Sequence, residues 1–196
     1  TIAYLSVDIR EWTNPETGQT LEVVGDTIIE RSPDGEEKLA FTVWDAFSLE
    51  DSDSLDTGFF GGMVDWTHAN SIFYSAERNT YLVSLGKLDT LVEVERDTAE
   101  VIDIINGETY AFLSGSTPFN YQHDAKWTDS GTLMLTTTVG GTFGVEYAVD
   151  QDAKTIEEIW SHGKDENVFA VVLGEADELP NGNRFVSYGM GGLVQE

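Results

Sequence analysis

The sequence has no cysteine and few basic residues, and these two absences exclude several classes of function. Without cysteine, the chain of 196 residues has no disulfide, no thiolate metal ligand and no cysteine nucleophile. Ten lysines and arginines stand against 36 aspartates and glutamates, which gives a formal net charge of −26. Nucleic acid and anionic membrane surfaces both bind clustered basic side chains, so we expect neither as a partner.

Long hydrophobic runs and a starting methionine are also missing. No apolar run approaches the roughly 20 residues of a membrane-spanning helix, so no membrane insertion is expected. The sequence begins at Thr1 with neither a signal peptide nor a basic leader, from which we expect a mature chain or a fragment. Apolar residues at 40% and aromatic residues at 11% nevertheless indicate a folded domain rather than a disordered acidic chain.

Short runs of β-branched and aromatic residues, bounded by Gly, Asp, Asn and Ser, recur along the chain. Two clear examples are Thr80–Leu85 and Thr90–Glu95. The best helix candidate is the acidic stretch 46–55, whose acidic residues also suit a solvated loop. Asp51 and Asp53 resemble a calcium loop only loosely, because the glycine and the closing glutamate are missing at the required offsets. We therefore predict an all-β protein with no metal ion and no cofactor.

The strands repeat in units of four, and the first two units are offset by 53 to 55 residues. Four antiparallel strands per repeat of this length are typical of a β-propeller blade, whose two apolar faces must stack between neighbours. We predict a single propeller segment of three to four blades. Its parts are a partial blade at about 1–47, a loop at about 48–66, blades at about 67–112 and 122–163, and a partial blade at about 168–196.

Two of the three histidines open the entry strands of consecutive repeats. The inner strand of a propeller blade lines the central channel, so His68 and His123 are both expected to face the axis. Two imidazoles there suit a nucleophile, a general acid or base, or an anion ligand. The alternative is a histidine that defines the repeat and bonds a neighbouring backbone group. The third, His162, is expected in a surface turn.

The segments around both histidines resemble the bacterial-type arylsulfotransferases. The resemblance is carried by Asp65–Ser71, by Tyr121–Ala125 and by the strand ending Ile156–Gly163, and it extends over about 28–188. It implies a six-bladed propeller that moves a sulfuryl group from a phenolic sulfate ester to a phenol through a sulfohistidine, without a nucleotide donor. It also implies small aryl sulfates and phenols as partners, and a periplasmic or extracellular location.

The resemblance also assigns candidate site residues. His68 and His123 fall on two of the family's active-site histidines, and Asn70 is a polar neighbour. Trp66, beside His68, is a candidate contact for the aromatic substrate. Gln195 falls near the position of the family's nucleophilic histidine and is a candidate substrate-binding residue.

Two departures from the family pattern keep a second hypothesis open. No histidine follows Gln195, and the stretch 136–143 lacks the arginine that the family uses to bind sulfate. Either the nucleophile lies beyond this sequence, or the chain is a non-catalytic propeller that serves as a binding or scaffold module. The sequence also shows no evident lysine or arginine beside the histidines, which argues against binding of an anionic ester.

Overall fold

A computed structural model describes residues 1–49, 55, 60–166, 168–170 and 172–196. In that part of the chain the structure is all-β, which confirms the predicted class. Its helices are short, and within the described ranges none is long and apolar enough to cross a membrane. Half of the helix candidate 46–55, residues 50–54, lies outside the described residues, and so does the loosely calcium-like segment around Asp51 and Asp53.

The first sheet contains a long antiparallel hairpin. Strands β1 and β2 pair along their whole length, β3 pairs with the other edge of β2, and a short strand β4 runs parallel to β2. A single helical turn, α1, follows β3. The bounds are β1 Ile2–Thr13, β2 Thr20–Arg31, β3 Glu37–Thr42, α1 Val43–Ala46 and β4 Val64–Asp65.

The second sheet is an antiparallel meander of four strands in sequence order. A 3-10 turn, Gly86–Leu88, joins its second and third strands, and Asp89 closes that turn with a φ of 46°. Asparagine and aspartate tolerate this left-handed conformation better than most residues. The bounds are β5 Ala69–Ser75, β6 Thr80–Leu85, β7 Thr90–Glu95 and β8 Val101–Ile105.

The third sheet repeats the meander and gains a fifth strand. The short strand β9, at the end of the predicted repeat 67–112, runs parallel to the outer strand of this next sheet. The bounds are β9 Ala111–Phe112, β10 His123–Trp127, β11 Leu133–Thr138, β12 Thr142–Asp150 and β13 Thr155–His162. The fourth sheet holds β14 Gly174–Glu178, β15 Arg184–Tyr188 and β16 Val194–Gln195.

Both faces of the second sheet are buried. Tyr81, Val83 and Leu85 of β6 belong to a core shared with the first sheet, whereas Leu82 of β6 belongs to a core shared with the third sheet. Side chains alternate across a strand, so a continuous apolar run such as β6 requires a neighbouring sheet on each face. Truncating Leu82 to alanine is expected to cost about 2–5 kcal/mol of the free energy of unfolding.

Charged side chains also connect neighbouring sheets. Arg96, just after β7, makes two hydrogen bonds to the carboxylate of Glu30 on β2, at 2.8 and 3.0 Å. Arg184 of β15 makes two hydrogen bonds to one carboxylate oxygen of Glu146 on β12, at 3.0 and 2.6 Å. A hydrogen bond from Asn70 of β5 to the backbone carbonyl of Gln122 brings the connections entering β5 and β10 close together.

Candidate functional site

His68 lies in the connection between β4 and β5 and has a left-handed backbone, with a φ of 51°. This conformation is uncommon for a residue with a Cβ atom, and contacts on both sides maintain it. Asp26 of β2 accepts hydrogen bonds from the hydroxyl of Thr67 at 2.5 Å and from the N–H of Ala69 at 2.8 Å. The carbonyl of His68 accepts from the N–H of Gly86 at 3.0 Å. Strain that its surroundings impose in this way is often found at functional positions.

The imidazole of His68 is oriented by a carboxylate. Its Nδ1 lies 2.7 Å from Oδ2 of Asp65, whose side chain is only 2% exposed. An ionised carboxylate only accepts hydrogen bonds, so Nδ1 carries the hydrogen of this contact. The uncharged tautomer that keeps this contact has its lone pair on Nε2. Burial by itself would raise the pKa of Asp65. The hydrogen bond from His68 and the positive charges of His68 and Lys87 outweigh that effect and hold the pKa below its usual value.

A lysine lies against the same carboxylate. Lys87, in the turn between β6 and β7, donates from Nζ to the backbone carbonyl of Asp65 at 2.8 Å and lies 3.5 Å from its Oδ2. The expectation that no cation stands beside the histidines was therefore wrong. Sequence reasoning missed Lys87 because it reaches the site from a separate connection, which the residues flanking His68 do not reveal.

Tyr121 lies between the two predicted histidines. Its ring centroid is 5.7 Å from that of His68, with the rings 29° from parallel, and 6.1 Å from that of His123. The side chain of Asp89 anchors this residue by accepting its backbone N–H at 2.7 Å. The sequence motif contained Tyr121 but gave it no role. The signal that could have revealed it is its position in the repeat, as the strand register shows.

The strand register places the two histidines at different positions of the repeat. Buried glutamates on the third strands, Glu93 and Glu146, each bind an arginine and are equivalent, so the repeat offset is 146 − 93 = 53 residues. Tyr121 has a left-handed φ of 44°, similar to the 51° of His68. His123 pairs with Thr136 of β11, whereas the first pair of β5 joins Ala69 to Leu85, so the expectation of equivalent histidines was wrong. His68 precedes β5, whereas His123 is the first residue of β10.

The backbone at His123 is held by the pairing of β10 with β11. The backbone carbonyl of His123 accepts a hydrogen bond from the hydroxyl of Thr136 at 3.4 Å. The next residue, Asp124, has a φ of 54°, and its Oδ2 lies 2.6 Å from Nζ of Lys126. Lys126 also binds Asp177 of β14 at 2.6 Å. Burial raises the pKa of Asp124 in spite of that ammonium group.

Asn70 links the second sheet to the segment that enters the third. Its Nδ2 donates to the backbone carbonyl of Gln122 at 2.7 Å. The Oδ1 atom of Asn70 is buried and accepts no hydrogen bond from the described residues. The buried side chain of Gln122 donates in turn to the carbonyls of Thr90 at 3.0 Å and Leu85 at 3.3 Å. Asn70 thus lies next to the residue that precedes His123.

The structure places the other two predicted site residues elsewhere. Trp66 is only 2% exposed and packs on Trp44, with ring centroids 4.8 Å apart, in the core between the first two sheets. Gln195 of β16 accepts a hydrogen bond from Nε2 of His162 at 2.9 Å and donates to Glu166 at 2.5 Å. His162 is the last residue of β13, so its placement in a turn was wrong. The predicted substrate contacts of Trp66 and Gln195 stay predictions.

One surface cavity, of about 310 Å³, lies between β3, α1 and β8. Its walls are mostly apolar, and they include Leu39, Phe41 and Val101. None of the residues around the histidines lines it. The candidate site therefore rests on the arrangement of its side chains and not on this cavity.

Comparison with known proteins agrees with the sequence motifs. The family model described as Arylsulfotransferase (ASST) matches residues 47–196, which include both histidine segments. No curated protein matches the chain. A solved structure from Bacteroides uniformis, described as a candidate 6-phosphogluconolactonase, is similar over 96% of this chain and 76% of that one. The identity is 10% and the TM-score is 0.35, which supports no argument about fold or function. Because the family model matches most of the sequence, the chain belongs to the arylsulfotransferase (ASST) family.

Proposed function

We propose that the chain provides a sulfuryl-transfer site, in which the four sheets are blades of a β-propeller and His68 is the nucleophile. The observation that carries this proposal is the contact between Nδ1 of His68 and the buried carboxylate of Asp65. It fixes the plane of the ring and assigns a hydrogen to Nδ1, so the tautomer that attacks sulfur does so through Nε2. The aryl sulfates and phenols that the family implies are then the donors and acceptors.

In the first half of the proposed reaction, Nε2 of His68 attacks the sulfur atom of an aryl sulfate. A nitrogen–sulfur bond forms while the bond between sulfur and the phenolic oxygen breaks, and the electron pair of that bond leaves with the phenolate. Protonated His123 gives its proton to the phenolate, which departs as a phenol. The carboxylate of Asp65 stabilises the positive charge that the sulfated imidazole acquires.

In the second half, an acceptor phenol replaces the first product. Neutral His123 takes the proton of its hydroxyl group while the phenolic oxygen attacks sulfur. The nitrogen–sulfur bond breaks and returns its electron pair to Nε2 of His68. The protein ends with the protons it began with, and one sulfuryl group has moved between two phenols.

The substrate and both transition states are anionic, which a chain of net charge −26 repels at long range. Lys87 supplies a local positive charge close to His68, where charge develops on the sulfuryl oxygens. Asn70 is a polar neighbour of the same site through its contact with Gln122. The positive charge of Lys87 near His68 therefore allows an anionic substrate to bind in a chain whose net charge is strongly negative.

A non-catalytic binding module is the second candidate function. It is favoured by Gln195, which stands near the position where the resemblance places the nucleophilic histidine. Its amide is used in hydrogen bonds to His162 and Glu166. A module of this kind would bind an aryl sulfate without cleaving it.

The test is transfer of the sulfuryl group from 4-nitrophenyl sulfate to phenol by the chain. We expect His68→Gln to abolish the transfer and His123→Gln to slow it. His162→Gln, a third histidine bonded to Gln195, is the matched control and should leave the rate unchanged. Equal rates in the wild type and His68→Gln would overturn the proposal. Binding of 4-nitrophenyl sulfate without any transfer would support the non-catalytic module.

A further inference from the structure

We infer that Asp89 is a positioning residue, which sets the separation between His68 and His123 by anchoring Tyr121 to the turn that also binds the His68 segment. The effect on catalysis rests on the proposed function, in which both histidines act on one substrate. The relative position of the two segments can be measured without turnover.

The first step is that the connection 86–89, between β6 and β7, is bonded to the His68 segment. The N–H of Gly86 donates to the carbonyl of His68 at 3.0 Å, and the N–H of Lys87 donates to the carbonyl of Thr67 at 3.2 Å. Two consecutive backbone hydrogen bonds therefore hold this turn against the backbone that carries His68.

The second step is that the last residue of the same turn binds the other segment. Oδ1 of Asp89 accepts the N–H of Tyr121 at 2.7 Å, and its Oδ2 accepts a hydrogen bond from Nδ2 of Asn120 at 2.6 Å. Hydrogen bonds to an ionised carboxylate are shorter and stronger than those between neutral groups. Asp89 therefore determines where Tyr121 lies, two residues before His123.

The third step is the backbone conformation at this contact. Asp89 has a φ of 46° and Tyr121 a φ of 44°. The left-handed conformation is unusual for an aromatic residue and persists only when the surroundings impose it. The ring of Tyr121 lies 5.7 Å from the ring of His68 and 6.1 Å from that of His123, measured between centroids. Loss of the anchor therefore displaces a ring that lies between the two imidazoles.

The anchor on the His68 segment is similar but contacts only that segment. Oδ2 of Asp26, on β2, accepts the N–H of Ala69 at 2.8 Å. Each histidine segment is therefore bonded to a carboxylate of the preceding sheet. Asp89 differs because its turn contacts both segments, so it controls the distance between them as well as the shape of one.

The chemical consequence concerns the leaving group. In the proposed first half of the reaction, His68 attacks sulfur while His123 protonates the phenolate, and this proton transfer requires hydrogen-bond contact with the phenolic oxygen. Unsubstituted phenol has a pKa of about 10, as the tyrosine side chain does, so its departure depends on the proton. The nitro group of 4-nitrophenolate withdraws the negative charge, and this leaving group depends on the proton less. A changed separation should therefore slow phenyl sulfate most.

The experiment compares kcat/KM for phenyl sulfate and for 4-nitrophenyl sulfate, with 4-methylphenol as the common acceptor. Asp89→Gly removes the carboxylate, and glycine adopts the left-handed φ of this position without strain. We expect kcat/KM to fall about 10²-fold for phenyl sulfate and less than about fivefold for 4-nitrophenyl sulfate. A purely structural role would lower both values equally.

Two further variants serve as controls. Asp89→Asn keeps an oxygen that can accept the N–H of Tyr121, and asparagine tolerates the left-handed backbone, so this variant should retain most of the rate with phenyl sulfate. In the turn after β12, Oδ1 of Asp150 accepts the N–H groups of Asp152 at 3.1 Å and Ala153 at 2.8 Å. Asp150→Gly should leave both values of kcat/KM unchanged.

The position of Tyr121 is measured separately, as the NMR cross-relaxation (NOE) between its ring protons and those of His68. We expect this NOE to weaken in Asp89→Gly and to persist in Asp150→Gly. If Asp89→Gly does not fold, Asn120→Ala, which removes the other hydrogen bond to the carboxylate, should show the same changes to a smaller degree.

Two results would overturn the inference: an unchanged NOE in Asp89→Gly, or equal losses of kcat/KM with the two donors. The NOE also separates this inference from the proposed function. A protein that transfers no sulfuryl group contradicts the proposed function, and the NOE then tests the anchoring of Tyr121 by itself. Transfer that depends on His68, with an NOE that does not depend on Asp89, contradicts only the role of Asp89.

Discussion

The two histidines that flank Tyr121 are held in different ways. Side chains orient His68, since Asp65 binds its ring and Asp26 fixes the backbone on both sides of it. The position of His123 is set by its place at the start of β10, and the carboxylate that follows it, Asp124, is paired with a lysine and 32% exposed. A ring with a fixed tautomer, such as that of His68, suits a nucleophile.

The largest expected difference between the two surroundings is in catalysis. Asp65→Asn should lower the rate of transfer about 10³-fold, because an amide can donate to Nδ1 and move the hydrogen to Nε2. Asp124→Asn should change the rate less than about threefold, since that carboxylate binds Lys126. The measurement is kcat for 4-nitrophenyl sulfate in both variants, with circular dichroism to show that they fold. Equal losses would remove the distinction between the two histidines.

A second difference is expected in stability. Thr67→Val removes a hydrogen bond to the buried carboxylate of Asp26 and should cost about 1.5–3 kcal/mol of the free energy of unfolding. Thr136→Val removes one neutral hydrogen bond, to the backbone carbonyl of His123, and should cost about 0.5–1.5 kcal/mol. Urea denaturation of both variants checks the comparison. A larger cost for Thr136→Val would show that the His68 segment is not held more firmly.

A smaller effect is expected where the two segments meet. An added Cβ on Gly86 would lie 2.7 Å from Nδ2 of Asn70, so Gly86→Ala should displace the amide that donates to Gln122. The expected cost is about 1 kcal/mol. Gly107→Ala is the control, because nothing lies within 4 Å of its added Cβ, and it should stay within about 0.5 kcal/mol of the wild type. Thermal unfolding of both variants measures the difference.

The last expected difference is that Asp65 and Asp124 change the free energy of unfolding in opposite directions as the pH falls. The folded pKa of Asp65 is lowered, so its contribution is present above its unfolded value of about 3.9 and is lost as the pH falls through the folded pKa. Burial raises the folded pKa of Asp124, so its cost at neutral pH is relieved as the pH falls through that value. Asp65→Asn should therefore flatten the acid-side loss of stability, and Asp124→Asn should steepen it.

The check on this prediction is a series of urea unfolding curves from neutral to acidic pH for the wild type and both variants. Changes of the same sign in the two variants would contradict the assigned pKa directions. Unchanged curves in Asp65→Asn would mean that His68 and Lys87 contribute nothing to the ionised form of that carboxyl.

Much of the fold could be predicted from local patterns. The runs of β-branched and aromatic residues predicted strands such as β6 and β7, and the structure confirms them. The motifs around His68 and His123 predicted the family, which the family model confirms. These predictions succeed because strand propensity and short motifs are properties of neighbouring residues.

The relative position of the histidines depends on strand register, which the sequence did not reveal. The pairing of β5 with β6 shifts between Ala69 and Ser71, and that of β10 with β11 shifts between His123 and Lys126. Each shift adds a residue to one strand, and the place where it is added changes which side chains are equivalent. The same reasoning applies to Lys87, whose contact with the site is made between separate connections.

The central claim is that a sulfuryl group passes through His68, and trapping the intermediate tests it most directly. The chain is mixed with 4-nitrophenyl sulfate, quenched in alkaline denaturant, digested and mapped by mass spectrometry. The account predicts one added sulfuryl group on the peptide that contains His68, its loss in His68→Gln and its persistence in His123→Gln. A sulfuryl group on the peptide of His123 or His162, or none in a protein that transfers it, would contradict the account.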